Sequence, residues 1–244
     1  MEVLALIPAR GGSKGIHRKN LRLVAGKPLV VHSIEHALAA QTVTRVVVST
    51  DDDEIADVAH NAGAEVPFTR PAKLARDDSP DLGVFLHALL WLEEHEAYRP
   101  ELVVHLRPTN PGRRAERIDE AVRALAADAT ADSLRSVSWP AQTPYKMWRI
   151  AGGYLEPLLE ADGVAEAYSL PRQDLPEVWW QNGYVDVIRP RTILELGSMA
   201  GERVLPFVVE EPVVEIDYED ALERAERLLR GEAPEPSAIP RHPA

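Results

Sequence analysis

The sequence predicts an α/β fold in which helices cover both faces of a mostly parallel sheet. Three short segments, residues 3–7 (VLALI), 45–50 (RVVVST) and 102–106 (LVVHL), are apolar along most of their length. Strands with this pattern are buried on both faces, as in parallel sheets. Segments with helical spacing of apolar residues separate them, and strand–helix alternation of this kind indicates a doubly wound, Rossmann-like arrangement.

The remaining elements follow from the same patterns. Pro28 suits the first turn of a helix over residues 28–40, because its missing N–H is not needed there. We also predict a third brief strand at 64–67 and a closing amphipathic helix at 218–230. Further helices are expected at 52–62, 81–94 and 115–126, and further strands at 183–188, 204–209 and 213–216.

The alternation breaks between about residues 139 and 180. This region holds five prolines, and Gly152–Gly153 marks a hairpin turn. We predict one domain over residues 1–230, with an inserted arm at about 140–182 that is too short for a core of its own. The last segment, 231–244, contains four prolines and is expected to be disordered.

Composition excludes several classes of function. The net charge of −12 argues against nonspecific nucleic-acid binding, which depends on neutralising phosphates. The chain has no cysteine, so disulfides and thiolate chemistry are excluded. We find no signal-peptide pattern and no apolar run near the ~20 residues of a membrane helix. The expectation is a soluble, cytoplasmic protein without a membrane partner.

A basic loop at residues 8–20 (PARGGSKGIHRKN) carries the strongest functional signal. Six Lys or Arg residues and no Asp or Glu lie between Glu2 and Glu35. The loop follows a strand, where backbone N–H groups can converge on phosphate, and its glycines permit close approach. This pattern favours a small polyanion over the alternative of a tight turn with solvated side chains.

Known loop motifs do not account for this segment. Neither a Walker A pattern nor GxGxxG is present, whereas Gly11–Gly15 matches the G-x-S-x-G pattern of hydrolases. The surrounding cations suit phosphate better than an acyl group, so we set the hydrolase interpretation aside.

Two carboxylates near the end of the chain are candidate metal ligands. Glu215 and Asp217 occupy alternate positions of a predicted strand and so share one face. Near a triphosphate such a pair suits Mg²⁺, which prefers a few hard oxygens together with phosphate and water. An isolated E-x-D is more often a pair of solvent-facing acids, and this alternative stays open here.

Together these segments resemble the CMP-sugar synthetases, namely the acylneuraminate cytidylyltransferases and their 3-deoxy-manno-octulosonate relatives. The resemblance extends to about Leu229 and rests on a set of motifs: IPARGGSKGIxxKN, GKPLVVHSIEHAL, VVVSTDDDEIADVAHNAGAEVPFTRP, LRPTNPGRR, PRQDLP, QNGYVDV and VEIDYEDALERAE. It implies a nucleotidyltransferase fold that couples CTP to a nonulosonic-type sugar acid, releasing pyrophosphate.

The resemblance also implies roles for individual residues. Arg10, Lys14 and Lys19 would be catalytic, acting on the triphosphate and the leaving pyrophosphate. Asp217 and Glu215 would bind Mg²⁺, although the family carries Asp-x-Asp there. The implied nucleotide-binding residues are Ala9, Arg10, Gly11, Ser13, Asn20, Arg70, Ser79 and Arg107.

The acceptor side departs most from the family pattern. The resemblance places Lys146, Arg172, Gln173 and Asn182 around the sugar acid, together with Asp186, where the family tends to have Tyr. Arg107 stands where the family usually has Gln. The arm implies a homodimer, because a similar segment reaches the partner's active site in this family.

Two alternatives remain open on sequence grounds. One is a nucleotidyltransferase for another nucleoside triphosphate, another sugar or a phosphorylated acceptor. The other is a non-catalytic nucleotide-binding protein on the same fold.

Overall fold

Apolar strands form the centre of a six-stranded sheet in the computed structural model, which describes residues 1–161 and 163–232. The strands are β1 Val3–Pro8, β2 Leu23–Val24, β3 Lys27–Pro28, β4 Arg45–Ser49, β5 Leu102–His105, β6 Ser133–Ser138, β7 Trp148–Ala151, β8 Tyr154–Pro157, β9 Trp180–Ile188 and β10 Val204–Val208. The helices are α1 Leu29–Ala39, α2 Asp53–Asn61, α3 Asp81–Glu96, α4 Ala115–Ala127, α5 Pro190–Leu194 and α6 Glu219–Leu229.

The main sheet has the order β10-β6-β9-β5-β1-β4. β1 pairs in parallel with β4 and β5, and β10 pairs in parallel with β6. β9 is inserted between β5 and β6 and runs antiparallel to both. The sheet is therefore mixed but mostly parallel, which confirms the predicted fold class.

Both faces of the central strands are covered, as their continuous apolar sequence requires. In β1, Val3, Ala5 and Ile7 pack in one cluster with α1 and α4. Leu4 and Leu6 pack in a second cluster with α3 and α5. The successive side chains of one strand thus stabilise both layers, because they point to opposite faces of the sheet.

A smaller apolar cluster attaches the end of the chain to its beginning. Ala221 and Ala225 of α6 pack with Ile16 of the basic loop, and Ile216 belongs to the same cluster. This packing places the 213–217 segment directly beside the basic loop.

Gly152 and Gly153 join β7 to β8, which confirms the predicted hairpin turn. Both glycines have positive φ, a conformation that glycine adopts without steric cost. The hairpin is exposed: Ile150 and Tyr154 are 80% and 79% accessible to solvent. Its role in a dimer stays a prediction.

Four local expectations are corrected by the structure. Pro28 precedes α1 and belongs to β3, so it does not form the first turn of the helix. Residues 64–67 make only isolated bridges, such as the one between Val47 and Glu65, and do not form a strand. The 213–216 segment is not a strand either: Val214 and Ile216 pack with α6, and the Ile216 N–H donates to Thr109 O at 2.8 Å without forming a ladder.

The fourth correction is β6, which the sequence pattern missed. Its sequence SLRSVS mixes polar and apolar residues, yet Ser133 and Ser136 are fully buried. Ser133 Oγ donates to Ala200 O, and Ser136 Oγ accepts from the Val185 N–H at 2.9 Å. These hydrogen bonds permit the burial of hydroxyl groups.

The predicted disorder of the C-terminal segment falls mostly outside the described residues. Within the part of the chain that the structure describes, no helix is both long and apolar enough to cross a bilayer.

Candidate functional site

A polar cleft of about 300 Å³ lies where the chain leaves the carboxyl ends of β1 and β5. Ligands of open α/β sheets bind at this edge. The residues that line the cleft are Pro8, Arg10, Gly12, Ser13, Lys19, Asn20, Arg70, Leu74, Arg76, Asp77, Ser79, Asp81, Val84, Arg107, Pro108, Thr109, Glu215 and Asp217.

Hydrogen bonds across the basic loop hold it in shape. Asn20 Nδ2 donates to Arg10 O at 2.9 Å, and Gly11 N–H donates to Asp51 Oδ1 at 3.0 Å. A Cβ at Gly11 would lie 2.6 Å from Asp52 Oδ2, so a side chain there would displace the loop. Ala9 is buried and its N–H donates to Ser49 O at 3.0 Å. Ala9 and Gly11 therefore shape the loop, while their neighbours line the cleft.

Arg10 and Lys14 share one carboxylate. Arg10 Nη2 lies 2.9 Å from Asp77 Oδ1, and Lys14 Nζ lies 3.2 Å from Asp77 Oδ2. Arg10 also donates to Arg76 O. Asp77 belongs to the segment between the 3₁₀ turn Ala72–Leu74 and α3, which closes over the basic loop. Sequence reasoning missed Asp77, although its neighbour Ser79 was a candidate.

Lys19 and Asp217 form the contact between the two halves of the site, with Nζ 2.9 Å from Oδ1. The backbone supports this contact, because a Cβ on Gly15 would overlap Asp217 O. Only glycine allows the loop to approach the 213–217 segment so closely.

Burial and repulsion from Asp217 raise the pKa of Glu215 above its ordinary value of 4.5. Both Glu215 and Asp217 border the cleft. Among the described residues there is no group of three or more His, Cys, Asp or Glu side chains that could enclose a metal by themselves. Two carboxylates open to a cleft do fit Mg²⁺, which takes one or two carboxylates and completes its shell with phosphate oxygens and water.

Arg70 and Ser79 line the side of the cleft near α3. Arg70 is buried; its Nε donates to Ser49 Oγ at 3.1 Å and its Nη2 to Ser49 O. Burial lowers the pKa of Arg70 to about 10, so the side chain stays cationic at neutral pH. Ser79 Oγ donates to Lys73 O at 3.0 Å.

Arg107 enters the cleft from the end of β5, and Asp186 lies behind it. Arg107 Nη1 donates to Asp186 Oδ2 at 2.8 Å, and Arg135 Nη1 donates to the same oxygen at 3.0 Å. Burial by itself lowers the pKa of Arg107, but the attraction of Asp186 outweighs it and raises the pKa above its ordinary value. The Asp186 side chain is only 1% exposed and does not line the cleft. Asp186 is thus buried beneath Arg107 and does not face this cleft, and its role toward the acceptor stays a prediction.

The other acceptor candidates do not reach this cleft either. Lys146 and Gln173 are exposed on the arm. Arg172 donates to Ala141 O at 3.1 Å and stacks on Trp139, with Cζ 5.0 Å from the ring centroid. Asn182 is fully buried; its amide donates to Ser138 Oγ at 2.6 Å and accepts from Tyr184 N–H at 3.0 Å. Of the described residues that line the cleft, none comes from the arm.

Arg113 is a structural residue of the site that the sequence analysis did not single out. It is fully enclosed and donates to Asn110 O at 2.7 Å and to Ser33 Oγ at 2.9 Å, as well as to Arg107 O and Tyr184 O. Burial lowers the pKa of Arg113 to about 9. Its guanidinium therefore joins the segment after β5 to β9, which positions Arg107.

Comparisons with known proteins agree with this site. The family model described as "Cytidylyltransferase" matches residues 4–139. A curated relative, the CMP-N,N′-diacetyllegionaminic acid synthase of Legionella pneumophila subsp. pneumophila, is 34% identical over 233 residues, covering 94% of this chain and 97% of that protein. The chain belongs to the cytidylyltransferase family. The resemblance to CMP-sugar synthetases and the predicted enzyme class are thereby confirmed.

Other relatives match shorter parts of the chain. The N-acylneuraminate cytidylyltransferase of Escherichia coli O18:K1:H7 is 35% identical over 122 residues, which are 50% of this chain and 28% of that enzyme. Among solved structures, CMP:2-keto-3-deoxy-manno-octonic acid synthetase complexed with CTP superposes with a TM-score of 0.70. That alignment covers 95% of this chain and 99% of the other at 16% identity, so it shows the shared fold.

Replacing the half-buried carboxylate Glu215 should stabilise the protein in a pH-dependent way. Since its folded-state pKa is raised, stability falls as the pH rises from 4.5 through that pKa, and the full loss is present above it. We expect Glu215→Gln to raise Tm by about 2 °C at pH 7.5. The gain should shrink as the pH falls toward 4.5, where Glu215 of the natural protein is also neutral.

Calorimetry in buffers without divalent cations measures this effect. Glu223→Gln, at an exposed position of α6, is the matched control and should leave Tm unchanged. A gain that is the same at every pH would contradict the assignment to the Glu215 charge.

Proposed function

We propose that this protein transfers the cytidylyl group of CTP to a nonulosonic-type sugar acid, giving a CMP-sugar and pyrophosphate. The observation that carries the proposal is that the basic loop and the Glu215–Asp217 pair face each other across one cleft, in a member of the cytidylyltransferase family. The cations of the basic loop can neutralise the negative charge of a triphosphate. The two carboxylates lie where the hydroxyl group of the acceptor would react.

The reaction is an in-line displacement at the α-phosphorus. The hydroxyl on the anomeric carbon loses its proton and forms the new P–O bond as the bond to pyrophosphate breaks. Positioning and charge neutralisation supply most of the rate enhancement in such transfers. The chain can provide both, because Asn20 holds the loop through Arg10 O and the cations Arg10 and Lys19 line the cleft.

Arg10 and Lys19 line the cleft and would bind the phosphate oxygens. Lys14 is 81% exposed and would reach the leaving pyrophosphate from outside the cleft. Fixed cations of this kind stabilise charge that develops on the leaving group. Ser13 and Asn20 would complete the triphosphate and ribose contacts, with Arg70 and Ser79 near the base.

We further propose that Asp217 and Glu215 hold Mg²⁺ with the nucleotide. The ion would neutralise phosphate oxygens and increase the acidity of the attacking hydroxyl. The 2.9 Å contact of Lys19 with Asp217 supports this site, since it holds the carboxylate beside the basic loop at the edge of the cleft.

The choice of acceptor rests on relatives that match this chain. One relative that matches over nearly the whole chain is a synthase named for diacetyllegionaminic acid, and a pseudaminic acid cytidylyltransferase of Campylobacter jejuni is 46% identical over 89 residues. Both names describe acids of the nonulosonic type, which supports that class for this protein.

We also infer a cytoplasmic homodimer. The reaction consumes CTP, which is a cytoplasmic metabolite. The arm exposes a set of large apolar side chains that solvation alone does not favour, and such a patch indicates a protein–protein contact. Its members are Met147, Trp148, Ile150, Tyr154, Leu155, Leu158 and Leu159.

A screen of pyrophosphate release tests the substrate proposal. The protein is incubated with Mg²⁺, with each of CTP, UTP, ATP and GTP, and with a panel of eight- and nine-carbon sugar acids. We expect release with CTP and at least one nonulosonic acid, and a CMP-sugar in the mass spectrum. Activity only with another triphosphate, or with a phosphorylated sugar, would replace the proposal by the corresponding transferase.

Removing the Lys19 charge should strongly reduce turnover. We expect Lys19→Met to lower kcat by about 100-fold or more, the loss typical of one preorganised electrostatic contact. Lys27→Met is the matched control, because Lys27 pairs with Glu35 outside the cleft and should change kcat by less than about 2-fold. Equal effects of the two substitutions would contradict the role of Lys19.

Charges on the hairpin should separate the dimer. We expect the protein to sediment as a dimer and the double variant Ile150→Asp/Leu155→Asp to sediment as a monomer with an unchanged far-UV spectrum, because a charge is costly in a buried apolar contact. Leu23→Asp, at an exposed position on β2, is the control. A monomeric natural protein would contradict the inferred dimer.

A further inference from the structure

One carboxylate holds two of the cations that the proposed function assigns to the triphosphate. Asp77 Oδ1 lies 2.9 Å from Arg10 Nη2, and Asp77 Oδ2 lies 3.2 Å from Lys14 Nζ. The other terminal nitrogen of the guanidinium, Arg10 Nη1, donates to Arg76 O. Both terminal nitrogens of Arg10 therefore contact residues 76 and 77, which themselves line the cleft.

A carboxylate that bridges two cations offers them what a phosphate group offers, namely negative charge and closely spaced acceptor oxygens. Guanidinium groups bind carboxylates and phosphates through the same N–H donors. Two anions beside one guanidinium repel each other, so each weakens the binding of the other. The phosphate groups of a nucleotide that reach Arg10 and Lys14 must therefore compete with Asp77. Because a triphosphate carries more negative charge than a single carboxylate, the nucleotide is the stronger of the two competitors.

The position of Asp77 in the fold allows its carboxylate to leave the two cations. The Asp77 side chain is 38% exposed. The backbone hydrogen bonds around it are local, because Ser79 N–H donates to Arg76 O at 3.1 Å. On the other side of Asp77, the Ala75 N–H donates to Ala72 O, also at 3.1 Å. A side chain that faces solvent in such a segment can turn away from the basic loop without disturbing a packed core.

We propose that Asp77 competes with the phosphate groups of the nucleotide for Arg10 and Lys14. Its carboxylate holds both cations at the cleft, and the more highly charged triphosphate displaces it. After the reaction the same carboxylate competes with pyrophosphate for these cations, which favours release of the product. This assignment rests on the proposed function and identifies Asp77 as the residue that sets the affinity of the cleft for phosphate groups.

Binding measurements on matched charge variants test this role. Asp77→Asn removes the competing charge, and Asp77→Ala removes the hydrogen-bonding groups as well. Asp78→Asn is the control, because it removes the same charge from a neighbouring side chain that lies 3.6 Å from Arg76 Nε and does not line the cleft. For each protein, titration calorimetry with Mg²⁺ present gives Kd for CTP and for inorganic tripolyphosphate. Initial rates give the inhibition constant of pyrophosphate.

We expect both Asp77 substitutions to lower Kd for CTP and for tripolyphosphate by about 5-fold or more, because an internal competitor reduces the fraction of the protein that is ready to bind. The inhibition constant of pyrophosphate should fall by a similar factor. Asp78→Asn should change each quantity by less than about 2-fold. In a Lys14→Met background the gain from Asp77→Asn should be smaller, because one of the two shared cations is absent.

Three results would overturn the assignment. Weaker binding of CTP and tripolyphosphate by the Asp77 variants would mean that Asp77 positions the cations and does not compete for them. An unchanged Kd would mean that the contact has no weight in binding, and an equal gain in Asp78→Asn would reduce the effect to the overall charge of the segment. A natural protein that is inactive with every triphosphate and acid contradicts the proposed function instead, and the comparison of Kd for tripolyphosphate still decides the role of Asp77.

Discussion

The contact between the basic loop and the 213–217 segment is the constraint on which the site depends. These segments lie about 200 residues apart in the sequence, yet Gly15 packs against the backbone of Asp217 and Lys19 pairs with its side chain. The smaller apolar cluster around α6 holds these two segments together, because it contains both Ile16 and Ile216. The cations and the carboxylates of the cleft therefore meet only in the completely folded chain, and the packing of the last helix is a requirement for chemistry.

A second constraint is that buried charged side chains hold the more exposed charged side chains of the cleft in position. Arg113 donates to the carbonyl oxygens of Arg107 and Asn110, and Asp186 holds the Arg107 guanidinium. Burying these groups is costly, and the cost is offset only where their hydrogen bonds are made. The direction of one cleft side chain is thus fixed by two groups that do not line the cleft.

Sequence patterns predicted the fold class and the basic loop because both are local. The apolar strands, the glycines and the cations can be recognised without knowing their neighbours. Asp77 and Asp186 could not be assigned in this way, since their partners, Arg10 and Arg107, are set by three-dimensional packing. The acceptor residues proposed on the arm likewise depended on where the arm lies, which composition does not determine.

The reversed direction of β9 has a topological consequence for the arm. The chain leaves β6 at the edge of the sheet where the cleft lies, and Ser138 pairs with Trp180 as β9 begins at that same edge. A parallel β9 would have required a crossover to the opposite edge before the sheet could continue. Because it is antiparallel, everything inserted between residues 138 and 180 starts and ends beside the cleft. The length of the inserted segment can therefore change without altering the sheet, while both of its ends stay at the edge of the sheet where the cleft lies.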